Sequence, residues 1–304
     1  MSPIDQGTLD FDPGSLVLLN IILGLIMFGI ALDLRLADFR RVAKHPWSAI
    51  VVLTAQLLLL PALTFGLTLV LEPAPSIALG MILIAACPGG NTSNLITHLA
   101  RGNTSLSISL TAVCTAAAAL LTPLNLALWA SLNPTTAALL QEVHLDPLNL
   151  LVTITVLLGL PLALGMTVTE RWPTLAAKMR RPFRAFSVLC LVVFIVAALS
   201  RNFGMFLNYI DVLFPVVVIH NSAALALGYT VARLARLPAA DCRTATIEVG
   251  IQNSGLGLIL IFSFFDGLGG MAYTAGLWGI WHLIAGGLLA MVWSRYPPAK
   301  PAST

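Results

Sequence analysis

Charge is what this 304-residue chain has least of: 10% of its residues are Asp, Glu, Lys or Arg, while 58% are hydrophobic. Soluble domains carry about a quarter charged residues, so a soluble domain of any size is excluded, and no nucleic-acid partner is expected. Cysteine is scarce as well. Cys87, Cys114, Cys190 and Cys242 are widely spaced in or near apolar stretches, with no CxxC pair or His/Cys cluster to hold zinc or run redox chemistry. No GxSxG or HExxH is present, so the chain does not read as an enzyme. An intramembrane hydrolase using serines with His282 is the remote alternative. The opening stretch MSPIDQGTLDFDPG has no basic segment ahead of an apolar one, so a cleaved signal peptide is not expected.

What the chain does have is apolar runs of membrane-spanning length, each about 20 residues. Nine are predicted, at 15–33, 47–70, 75–99, 104–130, 147–169, 184–200, 208–232, 243–265 and 268–293. The fold class is therefore an all-α polytopic membrane protein, one transmembrane domain across 1–304, placed in the cell (inner) membrane of the lipid bilayer. With the N-terminus outside, Arg35, Arg40, Arg41, Lys44, Arg101, Arg171, Lys178, Arg180, Arg181 and Arg184 fall on the inner side. So do Arg233, Arg236, Arg243, Arg295 and Lys300, which leaves only Arg201 of the 16 Lys and Arg outside. Inner loops carry such an excess, so the bias predicts N-out, C-in and an odd number of spans. Asp5, Asp10, Asp12, Glu72, Glu142, Asp146 and Asp266 fall on the outer side. Glu248 has no loop to sit in, and ionisable groups at membrane depth tend to line ion or substrate paths.

Two spans are interrupted. In CPGGNTSN, residues 87–94, Pro88 removes a backbone donor and Gly89 and Gly90 ease departure from the helix. Asn91, Thr92, Ser93 and Asn94 then supply neutral oxygens suited to a hard cation or a polar solute. The second interruption is EVGIQNSG, residues 248–255, in which Gly250 and Gly255 enclose Gln252, Asn253 and Ser254. Unwound backbone at membrane depth persists only beside protein or a water-filled cavity. The breaks lie five spans apart, so their helices run in opposite directions, as in an inverted repeat whose broken helices cross at a midplane binding site. The repeats are predicted at about 15–130, lacking an opening helix, and about 147–293. Ser107 and Thr111 share a helix face beside Ser93 and Asn94, and Gln56, His220 with Asn221, and His282 are polar residues of other spans. No membrane-depth Lys or Arg faces Glu248, so either a bound cation neutralises it or it is protonated and a proton is the coupling ion.

CPGGNTSN followed by RGNTSLSISLTAV, EVGIQNSG, IMFGIALDL in the first span and WH in the last together resemble the bile acid:sodium symporter family in order and spacing, over about 15–293. The resemblance implies a sodium-coupled symporter importing an organic anion, bile-acid-like or a smaller carboxylate, by alternating access of a six-helix core against a panel. A proton-coupled transporter of the same fold is the alternative. Two sodium ions are implied, one at Ser93, Asn94, Ser107, Thr111 and Glu248. The other is implied at Gln56, Gln252 and Glu248 with the carbonyls of Val249 and Ile251. Asn253 and His282, with Asn91, are the implied substrate contacts; no obligate protein partner is implied. Asn91-Thr92 stands where the family commonly has Thr-Ala, and Leu283 follows His282 where bacterial members often have Asn.

Overall fold

The computed structural model describes residues 3–6, 13–42, 46–142, 147–201, 203–296 and 298. Asp10, Asp12, Lys44, Asp146 and Lys300, used above for orientation, lie outside the described residues. The described chain is helical, apart from turns and one isolated antiparallel bridge between Gly89 and Gln252. After a single helical turn at Pro3–Gln6, the helices are in order α1 (Pro13–Ala31), α2 (Leu36–Val42), α3 (Pro46–Leu71), α4 (Pro75–Ala86), α5 (Thr92–Leu99), α6 (Thr104–Leu132) and α7 (Pro134–Glu142). They continue as α8 (Pro147–Arg171), α9 (Pro173–Arg201), α10 (Phe203–Leu234), α11 (Ala239–Gly250), α12 (Ser254–Phe264) and α13 (Gly269–Ser294).

Helix occupies each of the nine expected windows. Pro46–Leu71, Thr104–Leu132, Leu151–Arg171, Phe206–Leu234 and Gly269–Ser294 are each long and apolar enough to cross a membrane, while Val17–Ala31 and Leu36–Val42 form a pair bent by 63°. The apolar surface of α8 explains its partner. Val152, Val156, Leu160 and Leu164 are exposed at four-residue spacing, a stripe that water would leave unstable and lipid satisfies.

Loops that the charge bias assigns to one side do meet. The Trp47 indole donates to the Ala235 carbonyl at 3.1 Å, and Ser48 and Asn103 donate to Asp241 at 2.6 and 2.9 Å. Arg243 donates to the carbonyls of Ala100 and Trp293 at 2.8 and 3.0 Å. At the start of α4 sits Asp5, a residue expected on the outer side. It is buried, and its carboxylate accepts from the Ser76 amide at 2.9 Å, in the first turn of α4, where unpaired amides and the helix dipole favour an anion.

One expectation is corrected, and a second is met in a shorter form. The sixth span was predicted to begin at 184, but α9 begins at Pro173, so Lys178, Arg180, Arg181 and Arg184 lie on a helix instead of a loop. Pro173 suits a first helical position, and Ala176, Ala177, Lys178, Met179, Arg180 and Arg181 are strong helix formers. They extend the helix past its apolar part. The second break falls between Gly250 and Gly255 as expected but is shorter, since α11 runs through Gly250 and α12 already begins at Ser254. Only Ile251, Gln252 and Asn253 leave the helix. The cause is a cap: the Asn253 side chain accepts from the Leu256 amide at 3.0 Å, which starts α12 at Ser254. Gly250 serves packing, since a Cβ there would collide with Leu225 of α10.

Candidate ion and substrate site

The two breaks cross. Between α4 and α5 the backbone is extended at Cys87, and the Pro88 carbonyl accepts from the Asn253 amide at 2.8 Å while the Gly90 amide donates to the Ile251 carbonyl at 3.3 Å. Two short antiparallel segments thus satisfy one another inside the protein. Side chains meet the remaining carbonyls. Thr122 of α6 donates to Ala86 at 2.7 Å at the end of α4. Beyond it, Asn221 of α10 donates to Gly250 at 2.7 Å and Gln252 to Val249 at 2.8 Å.

Gln56 of α3 completes the set, and the local sequence explains how it arrives. Pro61 has no amide for the Leu57 carbonyl four residues earlier, and Asn125 of α6 donates to that carbonyl instead, at 3.2 Å. Just before Pro61, Ala55–Leu59 widens into a π turn carrying Gln56, a distortion frequent at functional sites. Gln56 lies 2.9 Å from the Gln252 side-chain oxygen. With its amide turned over, it donates to the Glu248 carbonyl at 2.8 Å and accepts from the Gly89 amide at 3.0 Å.

Oxygens converge on the Glu248 carboxylate, which is 1% exposed. Ser93 donates to its Oε1 at 2.7 Å, and Thr111 lies 3.3 and 3.2 Å from its two oxygens. Ser107 sits between the same Oε1 and Asn94 Oδ1, 2.8 Å from the latter. Gly89 is needed for this approach, because a Cβ there would come within 2.9 Å of Glu248 Oε2. None of the ion pairs among the described residues involves Glu248. A buried carboxylate is costly without a compensating charge; the hydroxyls reduce that cost and leave the charge unbalanced. The donors are one carboxylate, three hydroxyls and the Asn94 amide oxygen, from α5, α6 and α11, a hard-oxygen set that fits a small cation.

Ser93, Asn94, Ser107, Thr111 and Glu248 therefore meet in one cluster, and Gln56 and Gln252 lie beside it. The Val249 and Ile251 carbonyls already accept from Gln252 and from the Gly90 amide. Asn91, Asn253 and His282 line a neighbouring cavity of about 320 Å³, along with Gly90, Gln252 and the far wall of α1 and α9. His220 does not line it. Its ring meets Thr64 Oγ1 at 2.8 Å and packs 4.5 Å from Trp278, joining α10 to α3 and α13.

Sequence reasoning missed the opposite wall. Ile26, Ile30 and Asp33 from α1 and the turn after it face Arg184, Ser187 and Val188 of α9. Arg184 Nη2 lies 3.1 Å from Asp33 Oδ2. The available signal was spacing, since 26, 30 and 33 share one helix face, as do 184, 187 and 188; nothing local pairs residues 151 positions apart. The four cysteines are free, and Cys87, Cys114 and Cys242 are buried, as expected of core residues.

The profile of the Sodium Bile acid symporter family matches residues 20–209. The chain is 33% identical over 94% of its length to the "Uncharacterized sodium-dependent transporter YocS" of Bacillus subtilis, covering 86% of that protein. It is 30% identical over 91% of its length to a chloroplastic "Probable sodium/metabolite cotransporter" of Arabidopsis thaliana. It is 28% identical over 78% of its length to the "Ileal sodium/bile acid cotransporter" of Homo sapiens. The chain spans 67% of each of these two longer relatives. A multi-pass helical protein whose interrupted helices cross beside a buried carboxylate, matched over most of its length in this way, belongs to the sodium bile acid symporter family, a family of transporters and not of enzymes.

Proposed function

We propose that this protein is a sodium-coupled symporter that imports an organic anion by alternating access. The observation that carries the reading is the unbalanced, buried Glu248 carboxylate surrounded by Ser93, Ser107 and Thr111. A sodium ion there balances the charge and joins α5, α6 and α11. Asn94 completes this first site. A second sodium takes Gln56, Gln252 and Glu248 with the free lone pairs of the Val249 and Ile251 carbonyls, at the C-terminal end of α11 where the helix dipole is negative. The anion then binds in the adjoining cavity against Asn91, Asn253 and His282. Sodium occupancy orders the crossing that forms one wall of that cavity, which couples the two ligands. The repeats at about 15–130 and 147–293, with crossed helices in a core moving against a panel, supply the alternation. The one-sided excess of Lys and Arg supports an N-terminus outside and a C-terminus in the cytoplasm. The named functions of the relatives, sodium with bile acid or with a metabolite, support the ion more narrowly than the anion.

Thermal unfolding of the purified protein in sodium or in potassium buffer tests this, because a ligand selective for the folded state raises the melting temperature. A sodium-specific rise, absent in Glu248→Gln and enlarged by taurocholate, pantoate or pyruvate, is the expected result. Equal behaviour in both salts would sink the sodium assignment and move coupling to protonation of Glu248.

A further inference from the structure

We propose that Arg184 recognises the carboxylate of the transported anion, and that Asp33 is the ligand the substrate displaces. The inference deepens the symport reading and rests on it. Asp33 and Arg184 supply the charge among the described residues lining the cavity; the remainder are neutral. Their pairing is built for exchange. Asp33 is shared by two arginines, Arg184 at 3.1 Å and Arg180 at 3.6 Å. Arg180 is also tied down by donating to the Leu32 carbonyl at 2.7 Å, and its side chain is 22% exposed. Among the described residues Arg184 has Asp33 as its ion-pair partner, and its side chain is 70% exposed. An ion pair this exposed holds weakly. If Arg184 turns to a substrate carboxylate, Asp33 keeps Arg180, so no charge is stranded.

The same geometry describes the substrate. Asp33, in the turn after α1, lies seven positions beyond Ile26, about 10 Å at helical rise. The α1 wall is apolar until Asp33, and Val188, Leu256, Ile259 and Leu283 continue that character. Neutral hydrogen-bonding groups gather where Asn91, Asn253 and His282 contribute. The matching ligand is a compact monocarboxylate with hydroxyl, keto or amide groups away from the carboxylate. A second negative charge has no cation to meet in this lining, which disfavours dicarboxylates. An Arg guanidinium is suited to a carboxylate because it can donate two parallel hydrogen bonds.

The test titrates pantoate, pyruvate, malate and the uncharged lactone of pantoate into wild type, Arg184→Gln, Arg184→Lys and Asp33→Asn in sodium buffer, following melting temperature. In wild type, pantoate or pyruvate adds to the sodium shift, while malate and the lactone do not. Arg184→Gln weakens monocarboxylate binding at least about tenfold with the sodium shift intact, and Arg184→Lys restores part of it. Asp33→Asn binds the monocarboxylate as tightly as wild type or severalfold tighter, since its competitor is gone. Loss of affinity in Asp33→Asn equal to that in Arg184→Gln would show a structural tie and overturn the proposal. Wild-type affinity in Arg184→Gln would overturn it too, as would a panel in which no monocarboxylate adds to an intact sodium shift. A wild type with no sodium response strikes the symport reading instead, and the two failures are thereby distinct.

Discussion

The two interrupted helices end in opposite ways. Between α4 and α5, Pro88 and two glycines open a gap from Cys87 to Asn91, and the Asn91 side chain makes no cap bond. Between α11 and α12 three residues suffice, with no proline, because Asn253 caps the second half and Asn221 and Gln252 close the first. The first break is made by backbone chemistry and leaves its side chains available. The second is made by side chains bonded to backbone, so its own residues are more constrained. Charge is divided unequally as well: Glu248 lies on the second arm, while Ser93 and Asn94 lie on the first, with Ser107 and Thr111 just beyond it on α6. Neither arm holds a complete cation site. An ion bound here depends on the crossing, which is what coupling of ion binding to conformation requires.

The comparison can be broken hardest at the charge. Glu248→Gln keeps the shape of the second arm and removes its charge, and sodium affinity read from melting temperature in sodium against potassium is expected to fall at least about 100-fold. Gly89→Ala alters the first arm without touching a ligand. Its Cβ would stand 2.9 Å from Glu248 Oε2, so the carboxylate must move and sodium affinity should fall by about 10- to 100-fold in the same assay. An unchanged sodium response in this variant would show that close approach of the arms is unnecessary. Ser93→Ala and Ser107→Ala each remove one hydroxyl, and each is expected to weaken sodium about tenfold. A tenfold loss in one with none in the other would place the ion on one side of the carboxylate. The smallest effect separates the two breaks by capping. Asn253→Ala should lower ligand-free stability by about 1 kcal/mol, seen as a lower melting temperature, whereas Asn91→Ala leaves it unchanged and weakens only the anion. Equal destabilisation by both would remove the asymmetry.

The course of the spans was legible because long apolar runs and the distribution of Lys and Arg are averages over many residues, insensitive to any one contact. The first break was legible because Pro88 acts through its own covalent structure. The second was placed between the right glycines but proved shorter than expected, because glycine permits unwinding without requiring it. The deciding interaction was the bond from Asn253 to the Leu256 amide, and Gly250 turned out to answer to Leu225 of another helix. The π turn at Gln56 follows the same rule. Pro61 announces a missing amide, but the compensating Asn125 lies 68 positions from the carbonyl it serves.

By itself, the sequence determined that this is an all-α membrane protein, that two of its spans are interrupted, and that one carboxylate lies at membrane depth with no Lys or Arg at the same depth. Those properties depend on composition, periodicity and the covalent limits of proline, all of which act locally. The tertiary structure alone decided that the two breaks meet as an antiparallel pair, that three hydroxyls reach Glu248, and that Asp33 and Arg184 pair on one wall of the cavity. Each of these joins groups far apart in the chain at distances near 3 Å, where hydrogen bonding and charge compensation act and where sequence spacing carries no information.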